Sequence, residues 1–417
     1  MSVSGTIPRR CVNLPPGALR TLLRCISSGA LSEGPAIEGF SRRFGQWLGV
    51  PYVSGAFTGR SAFQLAVEAL SIGKGKEIIF PVFTFPVIPM VAKMLGYRPV
   101  FCDVDPATFN AGPEHFEARM TGQTAALVAT HLFGQPCSIR EIVDLARRRN
   151  IRVLEDCAHA CGVRVAGQQV GTFGDIGVFS FAEGKNMPCF GGGAIVTRDE
   201  SIARRASAVL SRAPVPSKET ILKNAFSVLS KWLLTRPTVF GLTAYPVLRW
   251  KLLRGQSLMD SAVGDELLGQ FSGSSPRVTR FANLQAAIGL LHLDQIDAFN
   301  EGARRNAQIL TEGLGGMTSI ELPPSGSGDP IYVYYPFKVK GGKRDQLRHF
   351  LLRHGFDSKL TDMSDCFRLR AFREEEGPGD DHGTSMEDTL LEFCVYPVIS
   401  ERRIRRLAHV IRSWDQG

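Results

Sequence analysis

The sequence predicts an α/β protein, with a mainly parallel sheet flanked by helices and a smaller α/β domain at the C-terminal end. Three observations predict it. Short apolar runs of strand length alternate with amphipathic helical stretches between residues 77 and 149, which is the pattern of successive βα units. Two further apolar runs, Ile151–Leu154 and Ile176–Phe179, end on Glu155-Asp156 and on Ser180-Phe181. Lys185 follows Ser180 by five residues and precedes Gly191-Gly192-Gly193. Polar groups just past the ends of parallel strands converge on the ligand crevice of such a sheet.

Taken in order, residues 1–30 read as an N-terminal arm with a short helix. Ala36–Leu48 is expected to be helical, because Phe40, Phe44 and Leu48 recur on one face at helical spacing. Gly55–Gly59 reads as a turn that opens a helix from Arg60 to Leu70. A helix start offers free backbone N–H groups and the positive end of the macrodipole, hence a phosphate site. Glu77–Phe80 is an expected strand, Pro86–Leu95 a helix, Pro99–Cys102 a strand and Ala125–Thr130 a strand. Ile139–Arg149 is a helix with Ile139, Ile142, Val143 and Ala146 on one face. The Ile151 and Ile176 strands follow, then Ala194–Val196 beyond the glycines.

An acid, a hydroxyl and a lysine in one crevice suit pyridoxal phosphate. The lysine amine can condense with the cofactor aldehyde. The carboxylate can keep the pyridine nitrogen protonated, so that the ring accepts electrons. The hydroxyl can donate to the phosphate.

Composition narrows the class. With 417 residues there is chain enough for two domains, and 44% hydrophobic against 21% charged residues marks a soluble globular protein. The net charge of +9 comes without any recognisable nucleic-acid module, so no nucleic-acid partner is expected. It fits solvated faces and attraction to anionic substrates or an anionic surface. Nine cysteines without a CxxC pair read as the reduced thiols of a cytoplasmic protein. No metal-ligand spacing is present. The first seventeen residues lack an apolar core, so no signal peptide is expected.

Several phrases carry a resemblance to a known family. They are LSEGPAIEGFSRRFGQWLGV (31–50), GRSAFQLAVEAL (59–70), FTFPVIPMVAKMLGYRPVFCDVD (83–105), HLFGQP (131–136), VLEDCAHACG (153–162), GDIGVFSFAEGKN (174–186), GGGAIVT (191–197) and LQAAIGLLHLDQID (284–297). Together they resemble the DegT/DnrJ/EryC1/StrS family, the sugar-aminotransferase branch of fold-type I pyridoxal-phosphate enzymes. The resemblance implies a seven-stranded, mainly parallel sheet in a large domain over 31–213. It implies a homodimer with its site at the subunit interface, an amino-acid donor such as glutamate, and a nucleotide-linked keto sugar as acceptor. By the same resemblance Lys185 and Asp156 are catalytic. Gly59, Arg60 and Ser61 hold the phosphate with Ser180, Phe85 and His159 lie against the cofactor ring, and Arg280 reaches the partner's phosphate. A His replaces the lysine in the related dehydratases, so Lys185 favours transamination.

The chain departs from the family pattern in places. Arg60 replaces a usual Thr, and either adds charge to the phosphate site or points to solvent. Pro188-Cys189-Phe190-Gly191 makes the lysine loop less polar than usual, and Val278 stands where an Asn or Lys is common. Residues 214–275 form an apolar and basic helical insertion. Leu222, Phe226, Leu229 and Leu233 mark one stripe of a helix over Ile221–Leu234, and Pro237–Leu248 is uncharged but too short to cross a bilayer. Two readings stand for 218–258: packing on the body or a dimer partner, and peripheral contact with the inner membrane face. The remainder, 276–417, is expected to hold a linking helix and the small domain. Its strands are Tyr332–Val339 and Leu391–Tyr396, its helices Arg344–His354 and Arg402–Trp414, and 373–387 an acidic loop. The altered lysine loop and the insertion leave a non-nucleotide or lipid-linked keto acceptor as an alternative. A catalytically silent cofactor-binding regulator is the alternative of another class.

Overall fold

Seven strands form the main sheet: β1 (Tyr52–Ala56), β2 (Glu77–Pro81), β3 (Arg98–Cys102), β4 (Thr124–Thr130), β5 (Arg152–Asp156), β6 (Ile176–Ser180) and β7 (Gly193–Thr197). The computed structural model describes residues 5–256, 264–270, 277–324, 328–375 and 385–415. The strand order is β1-β7-β6-β5-β4-β2-β3. β2 to β6 run parallel, while β7 is antiparallel to both its neighbours. Helices cover the parallel strands on both faces, so those strands are near-continuous apolar runs. Phe80, Phe101, Leu127 and Leu154 are all buried. The expected strands of this sheet are present within two residues of their expected ends, whereas the expected strands Tyr332–Val339 and Leu391–Tyr396 are shorter, Tyr335–Val339 and Leu390–Phe393; β1 is an addition, and it takes in Gly55-Ala56 of the expected turn.

β8 (Ile320–Glu321), β9 (Tyr335–Val339) and β10 (Leu390–Phe393) form an antiparallel sheet in the order β8-β9-β10. The helices Ile296–Leu314, Arg344–Arg353 and Glu401–Asp415 pack around it over a core that includes Tyr335, Phe337 and Leu407. The N-terminal arm crosses onto this part of the chain. Ile7 bridges Phe356, and Arg9 and Arg10 pair with Asp357 and Asp362 at 2.7 and 2.9 Å.

The insertion contains the helix Lys218–Leu234, then Pro237–Leu242 and Ala244–Leu253. The first of these corrects the expected buried face. Ile221, Ala225 and Val228 are buried, whereas Leu222, Phe226 and Leu233 are 37%, 74% and 52% exposed. No described helix is long and apolar enough to cross a membrane. Residues 257–263 and 271–275 of the expected insertion, and 376–384 of the expected acidic loop, lie outside the described residues. All nine cysteines are free and buried.

Candidate active site

The ends of three parallel strands supply the floor of a cavity of about 370 Å3. Register does the placing. Thr130 at the end of β4 lies opposite Asp156 at the end of β5, and Asp156 lies opposite Val178, two residues before Ser180. Thr130, Asp156 and Ser180 therefore reach the crevice together, as the carboxyl ends of an open parallel sheet do. The side chain before Asp156 points the other way, by the strand's period of two. Glu155 is buried and accepts N–H bonds from Gly171, Phe173 and Gly174 at 2.7 Å each. It pins the loop that leads into β6.

Lys185 sits on the loop after β6, held by its N–H to the Ala182 carbonyl at 3.0 Å, and lines the cavity with Asp156. Burial lowers the pKa of its amine to about 8, against the pull of Asp156 and Asp362. Burial likewise raises the Asp156 carboxyl, opposed by the Ala158 N–H bond and by Lys185 and His131. The amine and the acid share a desolvated space, a common setting for groups that move protons.

Opposite them stands the start of the helix Gly59–Leu70. Thr58 caps it, its hydroxyl accepting the Ser61 N–H at 3.0 Å. A Cβ on Gly59 would come within 2.7 Å of Ser180 Oγ. Only a glycine lets this helix end approach the serine hydroxyl so closely, and a helix N-terminus beside a hydroxyl fits a phosphate. Arg60 is half-buried in the cavity wall. Phe85 and His159 also line it. His159 accepts the Phe133 N–H on Nδ1 at 3.2 Å. Burial holds its pKa well below the usual value, with Lys185 and Lys359 adding to the shift, so the ring is neutral with its proton on Nε2. Thr130 Oγ1 is buried without a hydrogen-bond partner in this same cavity, and is an unused polar atom available to a ligand.

Two expected residues lie outside the cavity lining. The Ser61 hydroxyl donates to the Arg277 carbonyl at 3.3 Å, and its N–H is spent on the cap. Arg280 faces Glu33 at 3.5 Å and is half exposed. The cavity also has a wall that sequence reading missed: Arg10, Tyr334, Lys359, Asp362 and Met363. Lys359 Nζ pairs with Asp362 at 3.1 Å and with the buried Glu392 at 2.7 Å.

The model of the DegT/DnrJ/EryC1/StrS aminotransferase family matches residues 17–225 and 253–412. The chain belongs to that family. It is a pyridoxal phosphate-dependent aminotransferase, and the corner at Gly59 and Ser180, the unused Thr130 hydroxyl and the Lys185–Asp156 pair fit that cofactor. The family match leaves 226–252 uncovered. The chain is 29% identical, over 88% of its length and 86% of the relative's, to a UDP-N-acetyl-3-dehydro-alpha-D-glucosamine 3-aminotransferase of Acidithiobacillus ferrooxidans. It is 30% identical to a GDP-perosamine synthase of Escherichia coli O157:H7, over 78% and 76% of the two chains. Among solved structures it is similar to DesV of S. venezuelae in complex with a ketimine intermediate, with a TM-score of 0.74 and 25% identity over 96% and 94% of the chains.

Proposed function

We infer that this family member takes an amino group from an amino acid such as glutamate and places it on a nucleotide-linked keto sugar, in a pathway that makes a glycan or a secondary metabolite. The observation that carries the reading is the convergence of Lys185 and Asp156 on one cavity, with the glycine-started helix and Ser180 across from them.

When bound, pyridoxal phosphate supplies an aldehyde that condenses with amines and a ring that stores an electron pair. The protein's own residues do the rest. Asp156 holds the proton on the ring nitrogen. Lys185 would hold the cofactor at rest and, as a free amine, would move a proton; an amine pKa near 8 suits a proton-moving group. Ser180, Gly59 and Arg60 hold the phosphate, with Ser61 fixing the turn behind them through Thr58. Phe85 and the neutral His159 flank the ring. Arg280 serves the phosphate of a second copy. In this reading the chain divides into an arm (1–30), a cofactor-binding domain (31–213), the insertion (214–275) and a linking helix with the small domain (276–417). It works as a cytoplasmic homodimer.

The test is a single-turnover reaction of the holoenzyme with glutamate, read as 2-oxoglutarate formed, followed by a panel of UDP-, GDP- and dTDP-linked keto sugars. One equivalent of keto acid per site and amination of at least one sugar are expected. No keto acid from any amino acid would move the chain to the class of catalytically silent cofactor-binding regulators.

A further inference from the structure

We propose that the two short helices Pro237–Leu242 and Ala244–Leu253 form a docking surface for an anionic lipid bilayer, and hold the enzyme at the membrane while its active site works in solution. Three observations meet there.

The first is charge. Between Glu219 and Asp260 there is no acidic residue at all, while Lys223, Lys231, Arg236, Arg249, Lys251 and Arg254 are all cationic. Lys231 is offset by Glu183 at 2.7 Å, which leaves the charge concentrated on the later residues of the segment. Among the described residues, Arg249, Lys251 and Arg254 have no carboxylate within ion-pair distance. A one-sign segment complements the negative surface of an anionic leaflet.

The second is exposed apolar surface beside those cations. Leu242, Val247, Trp250 and Leu253 are 65%, 54%, 47% and 68% exposed. Val247, Trp250 and Leu253 recur every three residues and so share one side of their helix. The opposite side is used for attachment: Leu252 packs on Leu352, and the Tyr245 hydroxyl donates to the Arg353 carbonyl at 3.3 Å. The Arg254 guanidinium lies 4.3 Å from the Trp250 ring centre. A tryptophan beside an arginine, with leucines projecting past them, is the composition that inserts at a headgroup boundary.

The third is a groove of about 420 Å3 between this helix and the C-terminal part, lined by Tyr245, Arg249, Trp250, Leu253, His354 and Arg406. It combines two guanidinium groups with apolar rings, which is the chemistry of an anionic headgroup with the start of its acyl chains. The surface belongs to this chain in particular, since 226–252 lies outside the family match. With no described helix able to cross a bilayer, the contact is peripheral.

The experiment is co-sedimentation of the full-length holoenzyme with vesicles of pure phosphatidylcholine or with 30% phosphatidylglycerol (about one lipid in three), at low and high salt. Binding is expected only to the anionic vesicles and is expected to fall with salt, because exposed charges are screened. Replacing Arg249, Lys251 and Arg254 each by Gln should lower partitioning about fivefold per residue. Trp250→Ser with Leu253→Ser should abolish it while leaving glutamate turnover unchanged, which also shows that the variant is folded. Absence of binding to anionic vesicles, or unchanged binding by the serine variant, overturns the proposal. So does a serine variant that changes from dimer to monomer by light scattering, because the surface would then belong to a second copy. Transaminase activity is not the readout, so failure here is distinguishable from failure of the proposed reaction.

Discussion

Gly59→Ala is the sharpest probe of the phosphate corner. The added methyl would sit 2.7 Å from Ser180 Oγ and 2.9 Å from Ser180 Cβ. Rotating the serine moves its Oγ but cannot move its Cβ, so the helix start or the end of β6 must give way by a few tenths of an ångström. Overpacking of this size costs about 1–3 kcal/mol. Alanine in place of glycine returns up to about 1 kcal/mol of helix propensity, so the cofactor-free protein should lose roughly 0–2 kcal/mol in urea unfolding. The larger effect falls on the cofactor. Its phosphate needs the space the methyl takes and the N–H groups the methyl crowds, and a tenfold or greater rise in the pyridoxal phosphate Kd corresponds to only about 1.4 kcal/mol. A second change separates the two effects. Ser180→Gly removes both close atoms, so the double variant should recover stability, with a coupling on the order of 1 kcal/mol. It should not recover affinity, because the hydroxyl is gone. Titration of cofactor-free protein, followed by absorbance, reads the Kd. Wild-type affinity in Gly59→Ala would refute the assignment of this corner to the phosphate.

Three further outcomes follow from the same geometry. Asp156→Asn should bind cofactor but lose at least a hundredfold in turnover, measured with glutamate and any accepted sugar, because an amide does not hold the ring proton. Lys185→Met should abolish turnover yet stabilise the cofactor-free protein at pH 7. Burial lowers the lysine pKa from 10.5 to about 8, so the unfolded chain binds more protons between those values and wild-type stability rises with pH through that window. The variant should lack that rise and gain on the order of 1–2 kcal/mol at pH 7, after allowance for the lysine's partial exposure; denaturant curves at pH 7 and 10 check it. Phe226→Asp, on the exposed stripe of the helix Lys218–Leu234, should yield monomer in sedimentation velocity runs.

The parallel strands were legible because burial on both faces leaves an unbroken apolar run such as Ile78-Ile79-Phe80, and few other structures want one. The core of the site was legible for a related reason. Asp156, Ser180 and Lys185 lie within thirty residues of each other, at the ends of two such runs that pair directly. β1 was not legible. Its Ser54-Gly55-Ala56 end has turn composition, and only its antiparallel pairing with β7, Gly55 against Ala194, makes it a strand. Nor was the wall formed by Arg10, Lys359 and Asp362. These side chains come from positions about 350 residues apart, and as letters they resemble any surface charges. Nothing local states that Lys359 is buried against Glu392.

The helix Lys218–Leu234 shows the limit of periodicity most clearly. It carries two apolar stripes, Ile221-Ala225-Val228 and Leu222-Phe226-Leu229-Leu233. Helical spacing alone favours the second, because its side chains are larger. Yet the smaller stripe faces the body, where alanine and valine let the helix approach closely. Leu222, Phe226 and Leu233 of the larger one are left outside, on a helix whose Lys231 pairs at 2.7 Å with Glu183, itself part of the cavity lining. Large apolar side chains kept in water beside an active-site mouth cost free energy that a monomer does not recover. A second copy seated there would recover it.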